Sequence, residues 1–431
     1  MSLPLQGRTA SDITSDLEAF AGDDADIDAG RVFGLVFHAG HDVDDVVRRA
    51  HDRYVFHNAL NPDVLPSLRR MASEVVEATA WLLSGGAVDD GHDVRSGLSG
   101  YLTSGGTESI LMAVKTAKVR GRDERGIEHG NVVLPASAHA AFDKGCEYFG
   151  LEPRRIPVRD DWRADVDAMA GACDDDTVLV VASAPQYPQG VIDPVADVAA
   201  LAVERDVNCH VDACMGGFTL PFLERAGLLT GSQLPVDFRV PGVTTISADV
   251  HKYGYAPKGI SVILHRDKAS RRRQTFVFDG WLGGFYGSSG VLGTKPGGPI
   301  AAGWAALQYL GVDGYVERSA QAFRARQRLV AGVDGIDGLA VLGEPDVTLC
   351  AIAADPASAV AVDPFAVGDG LWARGWHLDR QGPPDSLHAT CMPVHDTGTV
   401  LDEFHSDLRA VVEEVGTARV TDRTTNYAAL E

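Results

Sequence analysis

The chain of 431 residues carries only seven lysines against 31 arginines, so each lysine stands out as a chemical signal. Two of them, Lys252 and Lys258, lie in the segment Thr244-Thr245-Ile246-Ser247-Ala248-Asp249-Val250-His251-Lys252-Tyr253-Gly254-Tyr255-Ala256-Pro257-Lys258. An apolar run there leads into His251-Lys252 and then into aromatic residues and glycine. Lysine is the side chain that condenses with carbonyl groups, and partial burial lowers its pKa so that the amine is available. A surface lysine just past a strand has the same local pattern. A second segment, Cys209-His210-Val211-Asp212-Ala213-Cys214, ends an apolar run in a carboxylate. Ligands of open α/β sheets sit outside the carboxyl ends of strands, where a carboxylate can hold a protonated ring nitrogen. An N-cap for the following segment would use the same residue.

A third segment, Thr103-Ser104-Gly105-Gly106-Thr107-Glu108-Ser109, precedes the helical run ILMAVKTAKV. Glycines and small hydroxyls at a helix start leave backbone N–H groups free and favour an anion, typically phosphate. An ordinary turn capped by Thr107 or Ser109 reads the same way. No Gly-Lys-Ser/Thr follows, so this is not a Walker loop. Individually the three signals are weak, but their order is informative: phosphate loop, strand-end Asp, then strand-end His-Lys. That order suits pyridoxal 5'-phosphate, which needs phosphate donors, a pyridinium partner and an imine-forming lysine.

The elements that must position these residues follow from apolar patterning. Helical spacing runs from about Asp42 to Leu83, broken at Asn58–Pro66, where Pro62 and Pro66 predict a turn or loop. Beyond Gly85 short apolar runs predict strands at Asn131–Leu134, Thr177–Ser183, Asn208–Val211, Thr244–Ala248 and Ser261–His265, with helical periods such as Asp193–Asp206 between them. The alternation indicates an α/β domain with a largely parallel sheet buried on both faces. A helix follows at about Tyr315–Val330. The remainder (strand Val347–Ala353, helix near Phe365–Arg374, strand His388–Met392, helix Leu401–Val415) predicts a separate small α+β domain. The first thirty residues predict a helix followed by a mobile acidic arm.

Composition narrows the function. A chain 45% hydrophobic and 23% charged is neither disordered nor collagen-like. A net charge of −22, with 44 Asp against 16 Glu, speaks against nucleic-acid binding. Six scattered cysteines (Cys146, Cys173, Cys209, Cys214, Cys350, Cys391) form no C-x-x-C pair and read as buried small hydrophobes, not disulfides or a zinc site. The N-terminal residues show no secretory pattern and no apolar stretch reaches membrane-spanning length, so a cytoplasmic location is expected.

With these residues in view, the chain resembles the sphingosine-1-phosphate lyases, within the fold-type I, group II pyridoxal-phosphate-dependent decarboxylase superfamily that includes glutamate and aromatic amino-acid decarboxylases. The matching segments are TSGGTESILMAVKTAK (from Thr103), SAHAAFDKGCEYFGL (from Ser137), PQYPQGVIDPV (from Pro185), HVDACMGGFTLPF (from His210), ISADVHKYGYAPKG (from Ile246) and GTKPGGPIAAGWAAL (from Gly293). The similarity runs from about Gly30 to Gly416. It implies an N-terminal arm and helical segment (1–60), a large cofactor-binding domain with a mostly parallel, seven-stranded-type sheet (61–315), and a small C-terminal α+β domain (316–431).

The resemblance also implies roles. Lys252 would bond the cofactor, Asp212 would pair with the pyridinium nitrogen, and His139 would stack on the ring. Gly106, Thr107 and His251 would hold the phosphate, joined by Thr294 of the partner subunit in a homodimer whose site lies at the interface. Tyr187 and Tyr286 would line the substrate region, with Asn58 and Lys258 contacting a small-molecule amine. The implied reaction is cleavage of the Cα–Cβ bond of a phosphorylated or otherwise anionic β-hydroxy amine, giving an aldehyde and a smaller amine. Decarboxylation of an acidic or aromatic amino acid is the alternative on the same scaffold. Two positions depart from the lyase pattern: Phe37 stands where the lyases typically have tyrosine, and Asn61 where they have histidine.

Overall fold

The segments Thr177–Ser183, Asn208–Asp212 and Ser261–His265 are buried at every position, as strands covered on both faces must be. In the computed structural model, which describes residues 3–61, 63–88, 97–231 and 233–425, they belong to one seven-stranded sheet. Its strands are β1 (Ser99–Thr103), β2 (Asn131–Pro135), β3 (Glu152–Ile156), β4 (Thr177–Ser183), β5 (Asn208–Asp212), β6 (Thr245–Ala248) and β7 (Ser261–His265). Their order is β1-β7-β6-β5-β4-β2-β3. The run from β3 to β6 is parallel, and β7 lies antiparallel to both of its neighbours. Parallel neighbours need crossovers; the helices Ala141–Phe149 and Val195–Glu204 supply two of them.

This topology sets the site. The register pairs Ser183 with Asp212 and Asp212 with Ser247, so β4, β5 and β6 end side by side. The turn after β6 therefore starts next to the Asp212 carboxylate. The helix Gly106–Arg125 begins three residues beyond β1 and brings its N-terminus to the same edge.

Two elements differ from expectation. β3, Glu-Pro-Arg-Arg-Ile, has no fully buried position; as an edge strand it tolerates charge and proline, so the apolar signal is absent. The helix expected from Tyr315 begins at Gly297 and runs to Val333, with a kink at Gly311, whose φ of +55° is left-handed. Its first half is uncharged and rich in small residues, so no polar face marks it as helical. The boundary expected after residue 315 falls four residues past this kink, where Gly311 interrupts the helix. Pro62 lies outside the described residues.

Beyond the sheet, β8 (Phe276–Phe278) and β9 (Tyr286–Ser288) form a hairpin. A four-stranded antiparallel sheet follows, in the order β10-β11-β13-β12, from β10 (Leu339–Val341), β11 (Leu349–Ala354), β12 (Asp379–Gln381) and β13 (Ser386–Thr390). It packs on its own core, which includes Leu329, Ile352, Trp376, Leu387 and Phe404. The N-terminal helix Ala10–Phe20 is capped by Thr9 and buries none of its residues. All six cysteines are free, five of them buried and Cys173 half-buried. Among the described residues no helix is long and apolar enough to cross a membrane.

Candidate active site

Where β5 and β6 end against the N-terminus of the helix Gly106–Arg125 there is a cavity of about 270 Å³. Gly106, Thr107, His139, Tyr187, Asp212, His251 and Lys252 all line it. These residues come from five separate stretches of chain, and the ends of the strands bring them together.

The Lys252 amine lies 3.1 Å from Oδ2 of Asp249, a carboxylate only 1% exposed. Nε2 of His251 is 3.5 Å from the same oxygen. Nδ1 of His251 accepts the Ile260 N–H at 3.2 Å, which leaves the ring proton on Nε2. Burial pushes the Asp249 carboxyl up, but Lys252 and His251 outweigh it and hold the group well below the usual carboxylate range. Asp212 accepts the Cys214 N–H (3.0 Å) and the Ser247 hydroxyl (3.2 Å) at Oδ1. Oδ2 has no hydrogen-bond partner among the described residues, so one oxygen serves the turn and the other is left for a ligand. His139 is half-buried. Burial pulls its pKa down, leaving a neutral ring at neutral pH, and its Nδ1 accepts the Ala141 N–H at 3.0 Å.

These groups fit pyridoxal 5'-phosphate. The helix start at Gly106 has no side-chain cap, so its first N–H groups remain available to a phosphate. Glycine is required there, since a Cβ on Gly106 would lie 2.8 Å from both Asp249 Oδ2 and Cys214 Sγ. The unbonded Asp212 Oδ2 suits a protonated ring nitrogen, and the cavity holds an amine at Lys252.

Tyr187 donates its hydroxyl to Asp379 Oδ2 at 3.2 Å and stacks on His388 with ring centroids 3.9 Å apart. The small sheet thereby reaches the cavity through β12 and β13. Sequence reasoning missed Asp379 because no local pattern links it to Tyr187. It also missed Glu108, whose Oε2 accepts from the Ser104 N–H and hydroxyl while Oε1 accepts the Val291 N–H at 2.6 Å. Asp249 was visible three residues before Lys252, yet only the fold shows that it is buried and paired.

The remaining expected residues lie outside this cavity. Tyr286 and Asn61 line a second, wider hollow of about 600 Å³ with Lys295 and Tyr101. Thr294 is exposed. Asn58 is exposed too, and its Oδ1 accepts the Leu60 and Lys295 N–H groups. The Lys258 ammonium donates to the His251 carbonyl at 3.1 Å and sits 4.7 Å over the Phe37 ring. Partial burial of that ammonium, reinforced by the positive Lys252, pulls it down to about 8.

The chain can now be set beside known proteins. The pyridoxal-dependent decarboxylase conserved domain matches residues 55–351. Sphingosine-1-phosphate lyase 1 of Rattus norvegicus is 38% identical over 414 residues, 96% of this chain and 70% of the rat protein. The sphingosine-1-phosphate lyase of Oryza sativa subsp. japonica is 38% identical over 416 residues, covering 96% and 74%. Among solved structures, a sphingosine-1-phosphate lyase from Burkholderia pseudomallei has a TM-score of 0.87 at 38% identity, over 97% of this chain and 93% of that one. A Lactobacillus brevis glutamate decarboxylase, 18% identical with a TM-score of 0.82 over 98% and 96%, shares the fold. The α/β architecture is that of fold-type I enzymes, and the cofactor is pyridoxal phosphate. The chain belongs to the sphingosine-1-phosphate lyase family of pyridoxal-phosphate-dependent enzymes.

Proposed function

We propose that the protein cleaves the Cα–Cβ bond of a phosphorylated long-chain β-hydroxy amine, sphingosine 1-phosphate or a close analogue, into a fatty aldehyde and a smaller phosphorylated amine. The observation that carries this is the pairing of a cavity-floor amine, Lys252, with an unbonded Asp212 oxygen in a chain 38% identical to such lyases over 96% of its length. The glutamate decarboxylase, at 18% identity, supports the fold alone.

The N–H groups of Gly106 and Thr107, with His251, are suited to hold the cofactor phosphate, and Asp212 Oδ2 to accept from its ring nitrogen. Neutral His139 offers a flat face that carries no charge to compete with that nitrogen. When bound, the cofactor supplies a sink for the electron pair of the broken bond. Lys252 presents the amine that can bond the cofactor's aldehyde carbon. Tyr187, its hydroxyl anchored on Asp379, lines the cavity wall where substrate enters.

The proposal extends to a homodimer. Phe276, Phe278, Trp281, Leu282 and Phe285 are all exposed on and around the β8–β9 hairpin, and an apolar patch of this kind marks an interaction surface. A second copy would cover it and bring Thr294 and Tyr286 toward the cofactor cavity. The test of function is incubation with sphingosine 1-phosphate and, separately, with acidic and aromatic amino acids. Aldehyde release supports the lyase; carbon dioxide from an amino acid, without aldehyde, refutes it in favour of decarboxylation.

A further inference from the structure

Two buried carboxylates near the cavity are satisfied in different ways. Asp193, fully buried, accepts backbone N–H groups at both oxygens, Ala164 at 2.9 Å and Ser183 at 2.8 Å. That is how a carboxylate serves packing. Asp249 is as deeply buried, yet Oδ1 has no hydrogen-bond partner and Oδ2 is turned to the Lys252 amine and the His251 ring. No backbone tie accounts for the charge; its charged partners are two side chains of the cofactor cavity. A buried ion is tolerated only when paired, so Asp249 and Lys252 depend on each other.

We propose that Asp249 is a positioning residue for Lys252: it fixes the amine at the end of β6 and holds it as the ammonium, so that Lys252 delivers a proton to Cα of the smaller amine product. An Nζ–H bond breaks and a Cα–H bond forms, filled by the electron pair that the Cα–Cβ bond released. The N–H pair stays on nitrogen as a neutral amine, and the proton lost from the substrate β-hydroxyl balances the one delivered. Asp249 keeps its charge throughout, in keeping with the depressed range that its two neighbours impose. The inference rests on the lyase reading above.

Asp249→Asn keeps the shape and removes the charge, and two measurements read it. The first is acylation of the cofactor-free full chain near pH 8, mapped by mass, with exposed Lys268 as internal reference. Labelling of Lys252 relative to Lys268 should rise about ten-fold in the variant, as expected when an amine loses the partner that keeps it protonated. Equal labelling in the two proteins overturns the proposal. The second is single turnover of the cofactor-loaded enzyme on sphingosine 1-phosphate. The variant should release aldehyde within a few-fold of the wild-type rate but form the amine product about fifty-fold more slowly. Equal slowing of both products signifies a structural role and overturns it. Should Asp249→Asn not fold, the wild type decides by itself: the labelling midpoint of Lys252 on raising pH should lie above that of Lys268, and a lower midpoint overturns the proposal. If the wild type releases no aldehyde, the lyase reading falls, while the labelling still tests the Asp249–Lys252 pairing.

Discussion

The cavity at the ends of β5 and β6 and the hollow beside the β8–β9 hairpin are built in opposite ways. In the first, polar side chains project from strand ends into a buried space, where Asp249 pairs with Lys252 and Asp212 holds the turn through one oxygen. In the second, Tyr286, Asn61 and Lys295 line a wider space flanked by exposed aromatic residues, with Leu282 wholly exposed. One chain thus gathers Gly106, Thr107, Asp212, His251 and Lys252 in one cavity and leaves Tyr286 in an open hollow. Glu108 joins the two, since it binds Ser104 of the phosphate loop and Val291 of the hairpin segment at once. A change at one region should thus be felt at the other through this carboxylate.

The comparison can be broken at its strongest point first. Lys252→Ala should abolish the absorbance band of the lysine-bonded cofactor and lower turnover by roughly 10⁴-fold or more, the scale of losing a covalent group; a band unchanged in position and intensity would displace the lysine from its role. Asp212→Asn should follow, lowering kcat by about 10²–10³-fold through the loss of a buried charge partner while the chain still binds cofactor. Thr294→Ala probes the open half: cofactor affinity should fall about ten-fold for one lost hydrogen bond to a charged group. Mixing Lys252→Ala with Thr294→Ala chains should then restore one intact site per dimer, seen as recovered activity. No recovery would mean that each chain builds its site alone.

The smallest effect concerns pH. Lys258 is cationic below about 8 and neutral above it. Attraction to a phosphorylated substrate should therefore be present at neutral pH and weaken as pH rises through that value, raising KM. A phosphate-free analogue should show no such change, and Lys258→Gln should remove the dependence.

Much of the fold was legible because parallel strands buried on both faces read as unbroken apolar runs. β4 matched its expected bounds, and β5 and β6 differ by one residue. β1 and β3 were not legible, since one is half-buried and the other is a charged edge. In the small sheet, β13 lies two residues before its expected place, because its His and Thr carry no alternation. The site residues at strand ends were readable from type and position. Asp249 and Asp379 were not, as their meaning lies in distances to Lys252 and Tyr187 that no local pattern encodes. Asn58, which motif similarity marks for substrate, also holds a turn through its Oδ1, a role that only the fold shows.

The most direct measurement is product mass after the cofactor-loaded protein meets sphingosine 1-phosphate. The account predicts a fatty aldehyde and ethanolamine phosphate in equal amounts, both lost in Lys252→Ala. Intact substrate beside a normal cofactor band, or carbon dioxide from an amino acid in its place, would contradict it.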